Sequence, residues 1–207
     1  NANEAPMNRA QSTGKINQLQ VDTQRNAYYY EVLNPQKEYE IWKVESSSNN
    51  SEILFSKKIP GLENYSNFRN PKISPDFKTL GFIASRGDTD DLFTYDIDSK
   101  LLNNFSLNKV AGKIIDYSWA PKEKKVALIS ASADKYIIYM LSEKSAEIFL
   151  ENGVALNNIF FLSDRILTLE NKNIVSYLLS DKSKTSLTDL ALPQEVSFYT
   201  VSLDRSK

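Results

Sequence analysis

The sequence contains no histidine and no cysteine. That removes thiolate nucleophiles, Cys/His zinc sites, the Ser-His-Asp triad and imidazole proton shuttles. It also removes disulfides, so bridges say nothing about redox compartment. The remaining reactive groups are carboxylates, lysines and hydroxyls. Asp88, Asp90 and Asp91 crowd into one acidic stretch. Calcium needs about six oxygens, and an EF-hand needs a longer pattern with a distal Glu. The stretch therefore reads as a solvated hairpin tip. Ser132-Ala-Asp-Lys135 has the Ser-x-x-Lys spacing in which a lysine activates a serine one helical turn away. Here it falls in a strand–strand turn, and no Lys-Thr-Gly accompanies it. Arg86-Gly-Asp88 matches the integrin-binding tripeptide in letters only. Asn49, Asn64 and Asn104 open glycosylation sequons, as an Asn-rich chain produces by chance. No Gly-x-Ser-x-Gly elbow, Walker loop or Gly-x-Gly-x-x-Gly is present, and 6 glycines leave little room for one. The expectation is a non-enzymatic chain with no cofactor and no metal.

Aromatic residues make up 11% of the chain. Aromatic anchors inside a polar rim are what protein interfaces use. Residues 60–70 read as a surface loop offering Tyr65, Phe68 and Arg69 to a partner. Trp42 and Trp119 are the other candidate anchors. Tyr28, Tyr29 and Tyr30 are consecutive, so they cannot all face one side of a strand.

The elements that would position these residues recur along the chain. Asp91-Leu-Phe-Thr-Tyr-Asp-Ile-Asp-Ser-Lys100, Lys135-Tyr-Ile-Ile-Tyr-Met-Leu-Ser-Glu-Lys144 and Asn173-Ile-Val-Ser-Tyr-Leu-Leu-Ser-Asp-Lys182 share one pattern. Each is an apolar, β-favouring run closed by a polar turn ending in Lys. Their tyrosines, Tyr95, Tyr139 and Tyr177, lie 44 and 38 residues apart. A weaker first copy places Val44 at the same position. The preceding strands, matched at Tyr29, Gly81, Ala127 and Leu167, repeat with the same uneven period. Leading strands are expected at residues 16–21, 71–74, 114–119 and 158–162, and trailing strands at 51–57, 101–107, 145–150 and 184–190. A seventeenth strand is expected at 195–203. Four short strands every 40 to 50 residues make the blade of an all-β propeller. A β-sandwich also has closely spaced strands, but it does not require a four-strand unit to recur. No apolar stripe of helical period appears.

Two copies carry a signature. Ile73-Ser-Pro-Asp-Phe-Lys-Thr-Leu-Gly-Phe-Ile-Ala-Ser-Arg-Gly-Asp-Thr-Asp-Asp-Leu-Phe-Thr-Tyr-Asp-Ile-Asp98 resembles the TolB-like, WD40-like (PD40) β-propeller repeat. Ser118-Trp-Ala-Pro121 followed by Lys124-Lys-Val-Ala-Leu-Ile-Ser130 is similar to the same repeat. Phe77 and Glu123 stand where that family has a turn glycine. The resemblance implies a propeller; it implies no activity, because the fold hosts many functions. It also implies a bacterial, extracytoplasmic setting in the periplasm or at the cell surface.

The chain of 207 residues holds 25 basic and 26 acidic residues, a net charge of -1. That balance argues against nucleic acid as the main partner. No apolar run approaches the roughly 20 residues of a membrane-spanning helix. Residues 1–15 have the composition of a flexible leader or tag remnant. Residues 16–207 read as one propeller domain, with blades at about 16–60, 61–110, 111–152 and 153–191. Three readings of closure stand: a four-bladed ring, a piece of a larger ring, or a ring with loops missing. The expected partner is a protein or peptide. A carbohydrate stacking on Trp42, Tyr65 or Trp119, or the hydrolase domain of a prolyl-oligopeptidase-like enzyme, is the alternative.

Overall fold

The computed structural model describes residues 15–48, 50–106 and 109–187. They form four antiparallel sheets of four strands, each built from consecutive strands in sequence order. The first holds β1 (Lys15–Asp22), β2 (Ala27–Leu33), β3 (Tyr39–Glu45) and β4 (Ser51–Phe55). The second holds β5 (Ser66–Ile73), β6 (Thr79–Arg86), β7 (Thr89–Asp96) and β8 (Leu102–Asn104). The third holds β9 (Lys113–Trp119), β10 (Val126–Ser132), β11 (Lys135–Leu141) and β12 (Ala146–Asn152). The fourth holds β13 (Leu156–Phe161), β14 (Arg165–Glu170), β15 (Asn173–Leu178) and β16 (Lys184–Ser186). There is no helix among the described residues. These are four blades of a β-propeller. A sandwich would mix strands from distant parts of the chain within one sheet. The expected strand at 195–203 and residues 1–14 of the expected leader at 1–15 lie outside the described residues, and Lys15 already begins β1. The chain divides into two compact units, one ending at Ile114 and the other beginning at Ile115.

The repeat seen in sequence is a register in space. Tyr29, Gly81 and Leu167 lie opposite Lys43, Thr94 and Ser176, each the residue before Val44, Tyr95 and Tyr177. In the third blade Ala127 faces Met140, the residue after Tyr139. The second and third strands of three blades are joined by two-residue turns: Gly87-Asp88, Ala133-Asp134 and Asn171-Lys172. Turns matching the right-handed strand twist need positive φ. Gly87 (φ 59), Ala133 (φ 50), Asn171 (φ 45) and Lys172 (φ 69) supply it. At Ser74-Pro75-Asp76-Phe77 the Asp76 carboxylate accepts from the Ser74 hydroxyl (2.6 Å) and the Lys78 amide (3.1 Å). Phe77, where the resembling family has glycine, sits at φ 59.

Blade faces bury aromatic and aliphatic side chains. In the first unit Phe55 stacks on Phe82 at 4.2 Å, and Phe82 on Phe93 at 5.5 Å. In the second unit Ile129, Ile138 and Phe149 of the third blade meet Ile159, Phe161 and Tyr177 of the fourth. A carboxylate also reaches from each of the first three blades to the backbone of the next inner strand. Glu31 accepts from the Asn70 amide (3.1 Å), Asp90 from Ile114 (2.9 Å) and Asp116 from Ile159 (3.0 Å). The Ser118 hydroxyl accepts from Phe161 in the same manner (3.0 Å). The amides are available because two of these inner strands are bulged. The register of β5 shifts on both sides of Arg69, and that of β13 shifts between Asn157 and Ile159. Asn70 (φ 53) and Asn158 (φ 47) take the left-handed backbone at those bulges, which Asn tolerates better than most residues.

Glu31, Asp90 and Asp116 are all buried. An orphaned buried amide costs about 1–3 kcal/mol. Asp116→Ala should therefore lower unfolding free energy by roughly that amount, with Asp116→Asn recovering part of it through its amide oxygen. Urea denaturation of the three proteins measures this.

The fourth blade holds an acid-sensitive pair. Tyr177 and Lys184 both donate to Glu170, at 2.7 Å each. Burial works against ionising Glu170, but these two bonds outweigh it and hold the carboxyl below its usual range. Burial first, then the bond to Glu170, pushes the Tyr177 phenol well up, so it stays a donor. A depressed carboxyl contributes stability above its unfolded value of 4.5, and that contribution is lost as pH falls. Glu170→Gln should flatten the acid limb of the stability–pH curve below about pH 4.5 and leave its slope near neutrality unchanged. Thermal unfolding across a pH series reads both limbs.

Candidate functional site

The expected loop at residues 60–70 is shorter than its sequence implies. The strand β5 begins at Ser66, and the aromatics are turned inward. Phe68 is only 1% exposed and lies 6.1 Å from Phe82 in the core of the first unit. Tyr65 is 8% exposed. Its hydroxyl donates to Asp91 (2.8 Å), its ring meets Phe93 edge-on (5.0 Å), and the Arg86 guanidinium lies over it at 5.4 Å. The expectation of exposed aromatics at this loop is thus corrected. Apolar rings on a strand facing a core are removed from water, and Tyr65 keeps its hydroxyl satisfied by a carboxylate.

Arg69 has a comparable inward role. It donates to Asp90 (2.8 Å), the Ser85 hydroxyl (3.0 Å) and the Ile114 carbonyl (2.7 Å). Asp90 also accepts from Ser85 at 2.7 Å. Asp90 and Asp91, read as part of a hairpin tip, are therefore buried and held by named donors. Asp88 alone of the three is exposed. Ser132 and Lys135 face each other across the β10–β11 turn, and Lys135 pairs with Glu151 at 3.1 Å.

Trp42 on β3 is half-buried, and its indole N–H donates to Glu40 at 2.9 Å. Trp119 closes β9, is 9% exposed and meets Tyr117 edge-on at 6.4 Å. The structure brings Tyr65 to Asp91 and Arg69 to Asp90, while Phe68 packs into the apolar core against Phe82. Trp42 stands apart from them in the same unit, and Trp119 belongs to the other unit.

A concavity with accessible chemistry lies in the second unit, its lining beginning at Ala120, next to Trp119. It holds about 500 Å3. Its apolar surface comes from Met140, Ile148, Phe149, Phe161 and Leu179. Phe149 and Phe161 are mostly buried, whereas Ile148 is 50% exposed. The strand β12 is outermost in its sheet and carries Glu147, Ile148 and Phe149. Its register slips between the partners of Ile138 and Tyr139, making Phe149 the extra residue of a bulge. That bulge aims Phe149 into the core and leaves Ile148 outside.

Three lysines line the cleft. Lys125 is paired with Glu123 at 2.6 Å, and that bond raises its pKa, with Glu147 adding to the effect. Lys182 lies over the Phe149 ring at 5.5 Å. Among the described residues, no carboxylate lies within ion-pair distance of Lys122 or Lys182. The sequence reading did not single out these residues. The adjacent apolar pair Ile148-Phe149, which breaks alternation in a strand, was the available signal.

No protein-family model matches the chain, and no curated protein matches it. Solved structures do. A putative TolB from Agrobacterium tumefaciens is similar with TM-score 0.66 at 13% identity, over 85% of this chain and 66% of that one. TolB from Acinetobacter baumannii gives 0.57 at 13%, over 84% and 42%. The β-propeller domain of the Trilobed protease from Pyrococcus furiosus gives 0.58 at 14%, over 91% and 59%. These likenesses are of fold. The chain spans less than two thirds of each of these structures.

Arg69 offers a direct check on its inward role. Removing it leaves Asp90 buried without its cation. Arg69→Ala should destabilise the protein by roughly 2–4 kcal/mol. Guanidinium denaturation should show the loss in the isolated protein, with no partner present.

Proposed function

We propose that this chain is a non-enzymatic propeller module that binds an extended segment of another protein in the cleft beside β12. The observation that carries the reading is the half-exposed Ile148 on an outer strand, above an apolar floor and among polar residues. Apolar pockets rimmed by polar groups are where interface anchors seat. An outer strand also offers unpaired main-chain groups, which extended peptides recognise by adding a strand. The likeness to TolB structures supports the propeller fold on which this reading is built. An extracytoplasmic setting is part of the same proposal and rests on the sequence resemblance.

A second reading is supported by the likeness to a protease propeller domain. In it the chain is the accessory propeller of a peptidase, and its coding sequence continues into a serine-hydrolase domain.

Selection of a displayed peptide library on the purified protein tests the first reading. Selected peptides should bind the wild type and weaken at least tenfold on Ile148→Asp. Equal binding to both proteins would remove the cleft from consideration.

A further inference from the structure

We infer that the segment accepted by this cleft is acidic, with an aliphatic or aromatic side chain flanked by carboxylates; this rests on the docking reading above. The apolar requirement comes from Phe149, Phe161, Met140 and Leu179, which form a floor that a polar side chain would leave underfilled. The charge requirement comes from which lysines are already satisfied. Lys125 is committed to Glu123 at 2.6 Å, with Glu147 close enough to act on it. Lys122 and Lys182 have no carboxylate within ion-pair distance among the described residues.

The two free ammoniums come from different blades. Lys122 sits on the β9–β10 turn of the third, and Lys182 on the β15–β16 turn of the fourth. Lys182 is held partly by its position over Phe149, so an apolar group entering the floor arrives beside a cation. A residue with a carboxylate neighbour meets both features at once.

Discrete carboxylates suit this site better than dense phosphate. Glu123 and Glu147 line the cleft with the lysines, and a continuous phosphate chain would meet them as well. Among the described residues no arginine lines the cleft, so these residues offer no planar fork of the kind that favours bidentate phosphate binding. A lysine is a point charge that serves a single carboxylate.

The left-handed backbone at Lys182 (φ 60) belongs to the repeat, because Lys100 closes the equivalent β7–β8 turn of the second blade at the same φ.

The test uses fluorescence anisotropy with three labelled peptides of one length and one Leu-Phe centre, flanked by Asp/Glu, Asn/Gln or Lys. The acidic peptide should bind at least tenfold tighter than the neutral one at low salt. That advantage should shrink as salt screens exposed charges. Lys122→Glu combined with Lys182→Glu should abolish the advantage and improve binding of the Lys-flanked peptide. All of these positions are exposed, and an unchanged melting temperature will show that the variants fold.

If acidic and neutral peptides bind equally, and Ile148→Asp weakens both, the charge inference fails and the docking reading stands. If no peptide binds, or if Ile148→Asp changes nothing, both fail. Binding of a labelled neutral oligosaccharide that Ile148→Asp abolishes, with no peptide bound, would overturn both in favour of a carbohydrate ligand.

Discussion

The fold depends on what happens to the amide groups of bulged inner strands. A blade cannot bury its inner strand with an unpaired N–H facing a neighbour, because a dry amide is costly to leave unmet. The bulges at Asn70 and Asn158 create such amides by rotating the backbone out of the sheet plane. Glu31 and Asp116 supply the missing acceptors. The relation is reciprocal. A buried carboxylate with no donor would be strongly disfavoured, and the amide answers that too. Hydrophobic faces alone would let neighbouring blades slide. A bond of 3.0 Å between one side-chain oxygen and one amide fixes a register that apolar packing leaves loose.

Arg69 shows the same constraint with a cation added. Asp90 serves the Ile114 amide, and Arg69 serves both Asp90 and the Ile114 carbonyl. Donor and acceptor of one residue are thus held by one ion pair. This explains why an arginine tolerates a position on a strand facing the interior. Its fork can reach a carboxylate, a hydroxyl and a carbonyl together, which a lysine ammonium could not do in one plane.

The architecture was legible in the sequence because it is written in period and turn chemistry. Tyr95, Tyr139 and Tyr177 fall on the third strand of their blades, and Tyr29, Gly81, Ala127 and Leu167 on the second. Both signals are local. The position of Tyr65 and Phe68 was not legible, because it turns on where β5 begins. Residues 66–70 contain Asn, Ser and Arg, which read as loop; in space they are part of a bulged strand whose polar groups are answered from elsewhere in the chain. The donors and acceptors that make such a strand possible lie 16 to 45 residues away from Arg69. A window reading cannot see them. The cleft was missed for a related reason. It is assembled from turns and strands of two blades, and although Lys125 and Lys182 fall within the repeated pattern, nothing in that pattern marks them as lining a cleft.

The edge strand β12 gives the strongest physical reason to treat the cleft as a recognition surface. An outer strand with an exposed aliphatic residue invites pairing with any passing strand. Here Glu147 and Glu151 stand beside Ile148, and the bulge at Phe149 distorts the edge. Both are devices that discourage indiscriminate edge pairing. Yet Ile148 keeps its aliphatic side chain at 50% exposure, where a polar residue would remove the hazard without disturbing the buried Phe149. Ile148 is one of six large apolar side chains exposed among the described residues; what distinguishes it here is its place in the lining of the cleft. A cover of the proposed kind would bury Ile148 together with the apolar lining beside it, and would bring carboxylates to Lys122 and Lys182, which no carboxylate reaches among the described residues.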